Sequence, residues 1–256
     1  RYLAGIAAGL KLNEMIAAGQ FKAEDAKIGY VGAFTYAEVI SGYTSFFLGA
    51  RSVCPTATME VQFTGSWYDE TAEKEAATTL ISRGCKLISQ HADSMGAPTA
   101  CETAGVPNVS YNGSTVAACP NTFIVSSRIN WAPYFEYIVN CAKSGEAIAA
   151  DWTGTLATGS VELSEINAKA AAEGTQAAID AAKAKLESGE LHVFDTAVFT
   201  VGGETITSYL ADVDTDANYE KDTEVVADGY FHESEKRSAP YFDLDIDGIT
   251  KLNAAY

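Results

Sequence analysis

The sequence predicts an α/β fold organised around a parallel β-sheet. Short apolar runs with strand character alternate with amphipathic segments of helical length, and this alternation is typical of βαβ units. The chain has 256 residues, 47% of them hydrophobic, which is enough to build a substantial core. Right-handed crossovers are expected between successive parallel strands.

The first half of the chain contains the clearest strand–helix alternation. A helix is expected over 1–18, because apolar residues recur there at helical spacing and Gly19 can end it. The strands that follow are expected at 27–32, 58–63, 86–89 and 108–111, and the helices at 37–50, 70–83 and about 94–104.

The second half begins in the same way and then changes in texture. A strand is expected over 123–127, a helix over 131–142, a strand pair within 151–163 and an Ala-rich helix over 165–186. Beyond residue 193, a hairpin with a Gly202-Gly203 turn is expected over 199–206. We interpret 193–256 as a peripheral hairpin followed by an acidic and aromatic extension.

The charge balance excludes several classes of partner. The chain carries 34 acidic and 17 basic residues, a net charge of −17. Binding of nucleic acid phosphates requires clustered Lys and Arg, so no nucleic acid partner is predicted. The same acidity disfavours anionic membrane surfaces, and no apolar run is long enough to span a bilayer.

Sequence motifs for catalysis, nucleotide phosphates and metals are missing. The sequence contains no GxSxG, GxGxxG, P-loop, HExxH or CxxC motif, so no enzyme activity, cofactor or metal is predicted. The acidic run 212–220 resembles the start of a calcium loop, but Ala217 replaces the turn glycine, which favours a solvated acidic turn. The pairing of the five cysteines is left open, with Cys101 and Cys119 as one candidate pair.

Polar and aromatic residues follow the predicted strands, where ligands bind in open α/β sheets. Trp67 offers a ring face for stacking on a planar ligand, and Asp93 and Asn112 offer directional hydrogen-bonding groups. His91 can donate or accept, and Trp131 can supply a second aromatic wall. Each residue also has a purely structural interpretation: buried tryptophans, a satisfied histidine, a helix cap at Asp93 and a turn residue at Asn112.

Several motifs occur in a fixed order along the chain. They are 1–9, 27–34, Glu38-Val39-Ile40, Ser66-Trp67-Tyr68-Asp69, Gln90-His91-Ala92-Asp93-Ser94, Tyr111-Asn112 and Asn130-Trp131-Ala132-Pro133-Tyr134. In this order they resemble the basic membrane protein family of bacterial solute-binding lipoproteins, also called the purine nucleoside receptor family. Within it, the motifs 66–69 and 90–94 resemble the branch that binds purine bases. The resemblance runs from residue 1 to about 192.

The resemblance implies a type I periplasmic-binding-protein fold, in which two Rossmann-like α/β lobes close on a ligand. It assigns 1–122 to the second lobe and 123–150 to a strand and helix that cross into the first lobe. It assigns 151–192 to a return strand and a long helix on the second lobe, and leaves 193–256 as the peripheral part. Most of the first lobe is expected to lie upstream of Arg1.

The resemblance also implies a set of ligand-binding residues. The stacking position of the family falls on Trp67, a ligand-contacting turn on His91 and Asp93, and a contacting lysine near Arg128. Phe34, at the end of the motif 27–34, and Trp131 complete the expected set. Glu38, at the start of its helix, is a further candidate.

One position departs from the family pattern. Asn112 stands where nucleoside-binding members have a carboxylate that grips the ribose. Losing that carboxylate removes a charge-assisted hydrogen bond of roughly 1.5–3 kcal/mol. The resemblance and this departure together favour a purine base over a nucleoside.

The expected function is that of an extracytoplasmic solute-binding protein of an ABC importer, located in the periplasm or on the cell surface. Its partners would be the purine ligand, the ABC permease and the ATPase, and a lipid anchor upstream of Arg1 would hold it at the membrane. Binding would proceed by hinge closure without covalent chemistry. The alternatives are a ligand-sensing module of a receptor or regulator and, less favoured, a nucleoside-processing enzyme.

Overall fold

The computed structural model describes residues 1–214 and 216–256. The six α-helices of this part of the chain are α1 (Tyr2–Ala17), α2 (Ala37–Val53), α3 (Glu70–Ser82), α4 (Gly96–Ala104), α5 (Ala132–Ser144) and α6 (Thr175–Ser188), and a short 3-10 helix spans Ala23–Asp25. The longer strands are β1 (Lys27–Gly32), β2 (Thr58–Phe63), β3 (Leu87–Gln90), β4 (Asn108–Tyr111), β5 (Phe123–Ile129) and β6 (Val161–Leu163). The short strands are β7 (Leu210–Ala211), β8 (Thr223–Glu224), β9 (Val226–Ala227), β10 (Tyr230–Phe231) and β11 (Ile249–Lys251).

A seven-stranded sheet forms the centre of the molecule, in the order β11-β2-β1-β3-β4-β5-β6. All neighbouring pairs from β11 to β5 are parallel, and only β6 runs antiparallel to its neighbour β5. The prediction of an α/β fold with a parallel sheet is confirmed. In the described part of the chain, no helix is long and apolar enough to cross a membrane.

Helices cover the two faces of the sheet and create two apolar cores. The larger core contains buried residues of α1 and α2 together with Ile179 of α6. The smaller core lies under α3 and α4 and includes Leu80, Ile88 and Ala97. Strands buried on both faces read as continuous apolar runs, which is why β1 and β3 were recognisable in the sequence.

The helices α1 and α2 pack with their backbones almost in contact. A Cβ atom at Gly49 would lie 2.0 Å from the carbonyl oxygen of Tyr2, and one at Gly5 would lie 2.0 Å from that of Phe46. Only glycine can occupy these positions at the present separation of the helices. This crossing joins the N-terminal half of α1 to the C-terminal half of α2.

Two predicted elements between β5 and α6 differ from the structure. Only Val161–Leu163 of the expected strand pair is a strand, because the stretch before it closes on itself in a turn in which Thr155 and Thr158 bond to each other. The long helix begins at Thr175 rather than at 165. Asn167 instead bonds to the backbone of β5 through its own N–H and its side chain, which holds the preceding segment extended along the strand.

The segment 193–256 is more closely integrated with the sheet than the sequence suggested. Its last strand, β11, forms one edge of the sheet beside β2, and Phe194, Phe231 and Phe242 belong to the larger core. The side chain of Asn253 bonds to both the N–H and the C=O of Phe63 at the end of β2. The description of this segment as peripheral is therefore corrected. The alternation of strand and helix patterns in the sequence could not reveal this contact with the sheet, because the segment packs mainly through aromatic residues in irregular backbone.

The expected hairpin at 199–206 is reduced to a tight turn. A single antiparallel bridge joins Val201 to Glu204. The intervening Gly202 and Gly203 have φ values of 60° and 87°, as a two-residue turn of this kind requires.

The close helix crossing predicts a stability effect at Gly49. Gly49→Ala should lower the free energy of unfolding by about 1–3 kcal/mol, because overpacking against backbone atoms forces the helices apart. Helix propensity alone predicts the opposite sign, a gain of about 1 kcal/mol. Denaturant unfolding would measure the difference.

Gly113→Ala is the matched control, since a Cβ atom at Gly113 would meet no atom within 4 Å. It should leave stability unchanged or slightly raised. A Gly49→Ala variant as stable as the parent protein would contradict the close approach of α1 and α2.

Candidate functional site

The candidate residues lie at one edge of the sheet, because they follow the carboxyl ends of parallel strands. Phe34 follows β1 and Trp67 follows β2, while His91 and Asp93 both follow β3. Asn112 follows β4 directly. Arg128 is the second-last residue of β5, and Trp131 is the residue immediately before α5.

An aromatic row formed by Phe34, Trp67, His91 and Tyr111 runs along this edge. The ring centroids are 5.5 Å apart between Phe34 and Trp67, and 6.0 Å apart between Trp67 and His91. Those of His91 and Tyr111 are 4.8 Å apart. Trp67 is half-buried and packs against the larger core, so the structure gives it both a packing role and some exposed ring surface.

Asp93 and Asn112 form a polar pair beside the aromatic row. The side-chain N–H of Asn112 donates to Oδ1 of Asp93 over 3.0 Å, and both residues are exposed. The backbone N–H of Asp93 donates to the carbonyl oxygen of Trp67 over 2.8 Å, which fixes the pair relative to the row. Asn112 has a φ of 60°, so it is a turn residue whose side chain also contributes to the edge.

His91 is a buried, neutral member of the aromatic row. Its Nδ1 lies 3.5 Å from the Tyr30 hydroxyl, and its Nε2 lies 3.8 Å from a carboxylate oxygen of Glu38, beyond hydrogen-bonding distance. Burial, together with the nearby charge of Arg1, lowers the pKa of His91 to about 4. The imidazole is therefore uncharged at neutral pH and can donate or accept one hydrogen bond from each nitrogen according to its tautomer.

Glu38 is an acidic neighbour of the row that the sequence indicated only weakly. Its side chain is about half-exposed. Interaction with the His91 side chain holds the pKa of Glu38 below its ordinary value, against an opposing effect of burial. Glu38 therefore places a partly exposed carboxylate beside His91.

Arg1 is a neighbour that sequence analysis did not nominate individually. Its guanidinium lies 3.8 Å from the centre of the Tyr111 ring, and its Nη1 donates to the carbonyl oxygen of Gln90 over 3.0 Å. No local pattern marks such a contact, because it joins residues 89 positions apart. Arg1 thus adds a fixed positive charge at the end of the aromatic row.

A cavity of about 600 Å³ opens on one side of His91. It is lined by His91 and Arg128 and also by Phe194 and Glu233 of the C-terminal segment. Such a volume lies within the range of small-molecule pockets. Phe34, Trp67, Asp93, Asn112 and Trp131 are outside its lining, so the structure places only two of the seven candidates on this cavity.

Arg128 and Trp131 come from the next strand and helix beyond the polar pair. The N–H of Asn112 donates to the carbonyl oxygen of Ser127 over 2.9 Å, so Arg128 follows directly on the neighbouring strand. Arg128 forms an ion pair with Glu162, with 3.1 Å between the charged atoms. Trp131 is 57% exposed, and its ring contacts within the described residues are with Tyr134 and Phe135 of α5. The structure therefore joins Phe34, Trp67, His91, Asp93 and Asn112 at the edge but leaves Trp131 on the separate surface of α5.

The structure shows the state of the cysteines and the arrangement of possible metal ligands in the described residues. The five cysteines occur as buried free thiols, Cys101 and Cys119 included, throughout the part of the chain that the structure describes. Among residues 1–214 and 216–256, no group of three His, Cys, Asp or Glu side chains is arranged to hold a metal ion. Thr215, within the calcium-like stretch, lies outside the described residues.

Three relatives share about a third of their aligned residues with the chain. A purine-binding protein of Brucella abortus is 30% identical over 172 residues, 65% of this chain and 47% of that protein. A Haloferax volcanii protein, provisionally named as a glucose-binding protein of an ABC transporter, is 33% identical over 165 residues, 64% of this chain and 39% of that protein. Metabotropic glutamate receptor-like protein B of Dictyostelium discoideum is 32% identical over 88 residues, 34% of this chain and 12% of that protein. The chain spans less than half the length of each.

Solved structures confirm the expected fold. A solute-binding protein of an ABC transporter system from Aeropyrum pernix K1 superposes with a TM-score of 0.62 at 18% identity, over 75% of this chain and 63% of that one. Another, from Conexibacter woesei DSM 14684, gives 0.56 at 24% identity, over 75% and 61%. At these identities the likeness concerns the fold alone.

The family assignment rests on a match over most of the chain. The family described as ABC transporter substrate-binding protein PnrA-like matches residues 1–193. This range ends close to residue 192, where the resemblance of the motifs also ends, and it confirms that resemblance. The chain belongs to the family of PnrA-like ABC transporter substrate-binding proteins.

Proposed function

We propose that the chain contributes to an extracytoplasmic solute-binding protein that binds a purine base or nucleoside, with the base preferred. The observation that carries this proposal is the placement of the aromatic row beside the Asp93–Asn112 pair at the carboxyl edge of the sheet. Planar aromatic surface next to directional polar groups suits a flat heterocycle. The purine-binding relative from Brucella abortus supports the same ligand class.

Each candidate residue has a specific role in this proposal. Trp67 stacks on the base, and Phe34 extends the aromatic surface, with its ring tilted against that of Trp67 and 5.5 Å between the centroids. The carboxylate of Asp93 accepts from ring N–H or exocyclic amino groups, while Asn112 orients it through their shared hydrogen bond. Neutral His91 adds a donor or acceptor without an added charge.

The remaining two residues belong to the outer part of the proposed site. Arg128 lines the cavity next to His91 and contributes a donor. Trp131 forms a second aromatic wall on the α5 side, at a position that requires closure of the site around the ligand. Arg128 and Trp131 are the two members of the set that most depend on a further lobe.

The proposal includes a two-lobed arrangement and its transport partners. Residues 1–122 and 151–192 belong to one lobe, and 123–150 carry the crossing strand and helix of the other. Consistent with this, Cys141 is the only buried residue of α5 within the described part of the chain. Hinge closure then traps the ligand for an ABC permease and its ATPase, and a lipid anchor upstream of Arg1 retains the protein at the membrane.

A ligand-sensing module is the second candidate function. The similarity to the Dictyostelium discoideum receptor-like protein, which matches over 12% of its length, favours it. The same edge of the sheet would bind ligand in both cases. The two candidate functions differ in the partner that responds to closure of the lobes, which is a permease in transport and a signalling segment in sensing.

Stacking on Trp67 predicts a large and selective loss of affinity. Trp67→Ala should weaken purine binding by about 1–3 kcal/mol, the usual contribution of stacking a base on an aromatic side chain. Calorimetric titration with hypoxanthine or adenine would measure it. Tyr68→Ala is the control, because Tyr68 is 67% exposed and lies outside the aromatic row. Unchanged affinity in a folded Trp67→Ala variant would make Trp67 a packing residue only.

Binding without catalysis predicts that a bound nucleoside stays intact. Prolonged incubation of the protein with inosine or adenosine, followed by chromatography of the denatured mixture, should recover the nucleoside without free base. Boiled protein provides the background rate. Protein-dependent release of base would contradict the binding function and favour a nucleoside-processing enzyme.

A further inference from the structure

A buried carboxylate lies directly behind the proposed site. Glu73, in the first turns of α3, has no exposed surface. Its Oε1 accepts from the backbone N–H of Asp69 over 3.1 Å and from that of Ser94 over 3.3 Å. Its Oε2 accepts from the same N–H of Ser94 over 3.1 Å. One side chain therefore bonds to the backbone of two separate loops.

These two loops, the turn 64–69 and the loop 91–95, carry the main residues of the proposed site. The turn carries Trp67, and the loop carries His91 and Asp93. They also bond to each other directly, through the Asp93 N–H and the Trp67 carbonyl oxygen. We call the contacts of Glu73 with both loops the Glu73 clasp.

Capping of α3 does not account for the Glu73 clasp. The N-terminal end of α3 is already capped by Asp69, whose side chain accepts from the N–H of Ala72 over 2.9 Å. The bonds from Glu73 to Ser94 reach a different loop and satisfy no group of α3. Burying a carboxylate costs free energy unless it is well hydrogen-bonded. The bonds between Glu73 and Ser94 are therefore not needed to form or cap α3.

We propose that Glu73 is a positioning residue for ligand binding, which holds the Trp67 turn and the Asp93 loop in one fixed arrangement. The inference rests on the proposed function, since it assumes that Trp67 and Asp93 contact the ligand together. A rigid base can stack on Trp67 and bond to Asp93 at the same time only if the distance between these two side chains matches its own dimensions. The Glu73 clasp sets that distance before the ligand arrives.

The Glu73 clasp also connects ligand affinity to pH. Burial raises the pKa of Glu73 above its ordinary value, and the hydrogen bonds from Ser94 and Asp69 oppose that shift. Asp69 and Asp93 are the acidic residues of the two loops, and the charge of Asp93 adds to the rise in the pKa of Glu73. Glu70 and Lys74 are its charged neighbours along α3 and are both exposed. Protonation removes an acceptor from the clasp, so affinity falls as the pH decreases through the pKa of Glu73.

This loss of affinity is separable from acid unfolding. A carboxyl group whose pKa is higher in the folded state binds its proton more tightly when folded, so protonating Glu73 favours folding relative to the unfolded chain. Affinity should therefore begin to fall while the protein is still folded. The part of the acid loss that disappears in a Glu73→Gln variant is the part that Glu73 produces.

Glu73→Gln tests the Glu73 clasp with the smallest change in shape. The amide retains one acceptor oxygen and turns an N–H₂ group toward the N–H of Ser94 or of Asp69. Affinity for hypoxanthine or adenine should fall roughly tenfold, the effect of losing one charge-assisted hydrogen bond. The fall of affinity in acid should also be smaller in this variant than in the parent protein. Glu75→Gln, an exposed position on the same helix, should bind like the parent protein.

Parental affinity in a folded Glu73→Gln variant would overturn the inference while leaving the proposed function intact. If the variant does not fold, the affinity of the parent protein is measured as a function of pH. A constant affinity over the range in which the parent protein stays folded overturns the inference. Absence of purine binding by the parent protein would instead overturn the proposed function. In that case, amide exchange without ligand tests the Glu73 clasp itself. Protection of the Asp69 and Ser94 amides should fall on acidification, and unchanged protection overturns the clasp.

Discussion

Parallel pairing of the central strands is the constraint on which the proposed site depends. Because β1 to β5 run in the same direction, the segments after them emerge at one edge. Residues as distant in sequence as Phe34 and Asn112 are thereby brought to one surface. Arg1, before α1, and Glu38, in the first turn of α2, lie beside the same edge, where Arg1 bonds to Gln90 and Glu38 lies 3.8 Å from His91.

The edge is stabilised by polar groups that lie behind the surface rather than on it. Glu73 joins two loops from the α3 side, and Asn253 bonds to the end of β2 from the C-terminal segment. The segment 193–256 thus supports the site although the family match ends at residue 193. Its Glu233 also lines the cavity, where burial raises its pKa to about 7. The electrostatics of the cavity therefore depend on a part of the chain that family motifs do not describe.

Elements with strong periodicity or fully buried strands could be predicted from the sequence. The apolar run Lys27–Gly32 and the helical spacing of α2 are both signals of this kind. The predicted start of α6 at residue 165 was wrong because Asn167 bonds to the neighbouring strand β5. This tertiary contact leaves no local pattern in the sequence. At the edge, Trp67 and Asp93 were identified by their positions after strands and by motif. The contact of Arg1 with Tyr111 and the role of Glu73 depend on long-range packing, so sequence reasoning missed them.

The central claim is that the edge of the sheet recognises a flat heterocycle rather than a sugar. Competitive calorimetry on the protein that carries this chain tests it most directly, with hypoxanthine, guanine and adenine on one side and ribose and glucose on the other. At least one purine base should bind about tenfold or more tightly than either sugar, because only a purine can both stack on Trp67 and bond to Asp93. Ribose or glucose binding as tightly as the best purine would contradict the account.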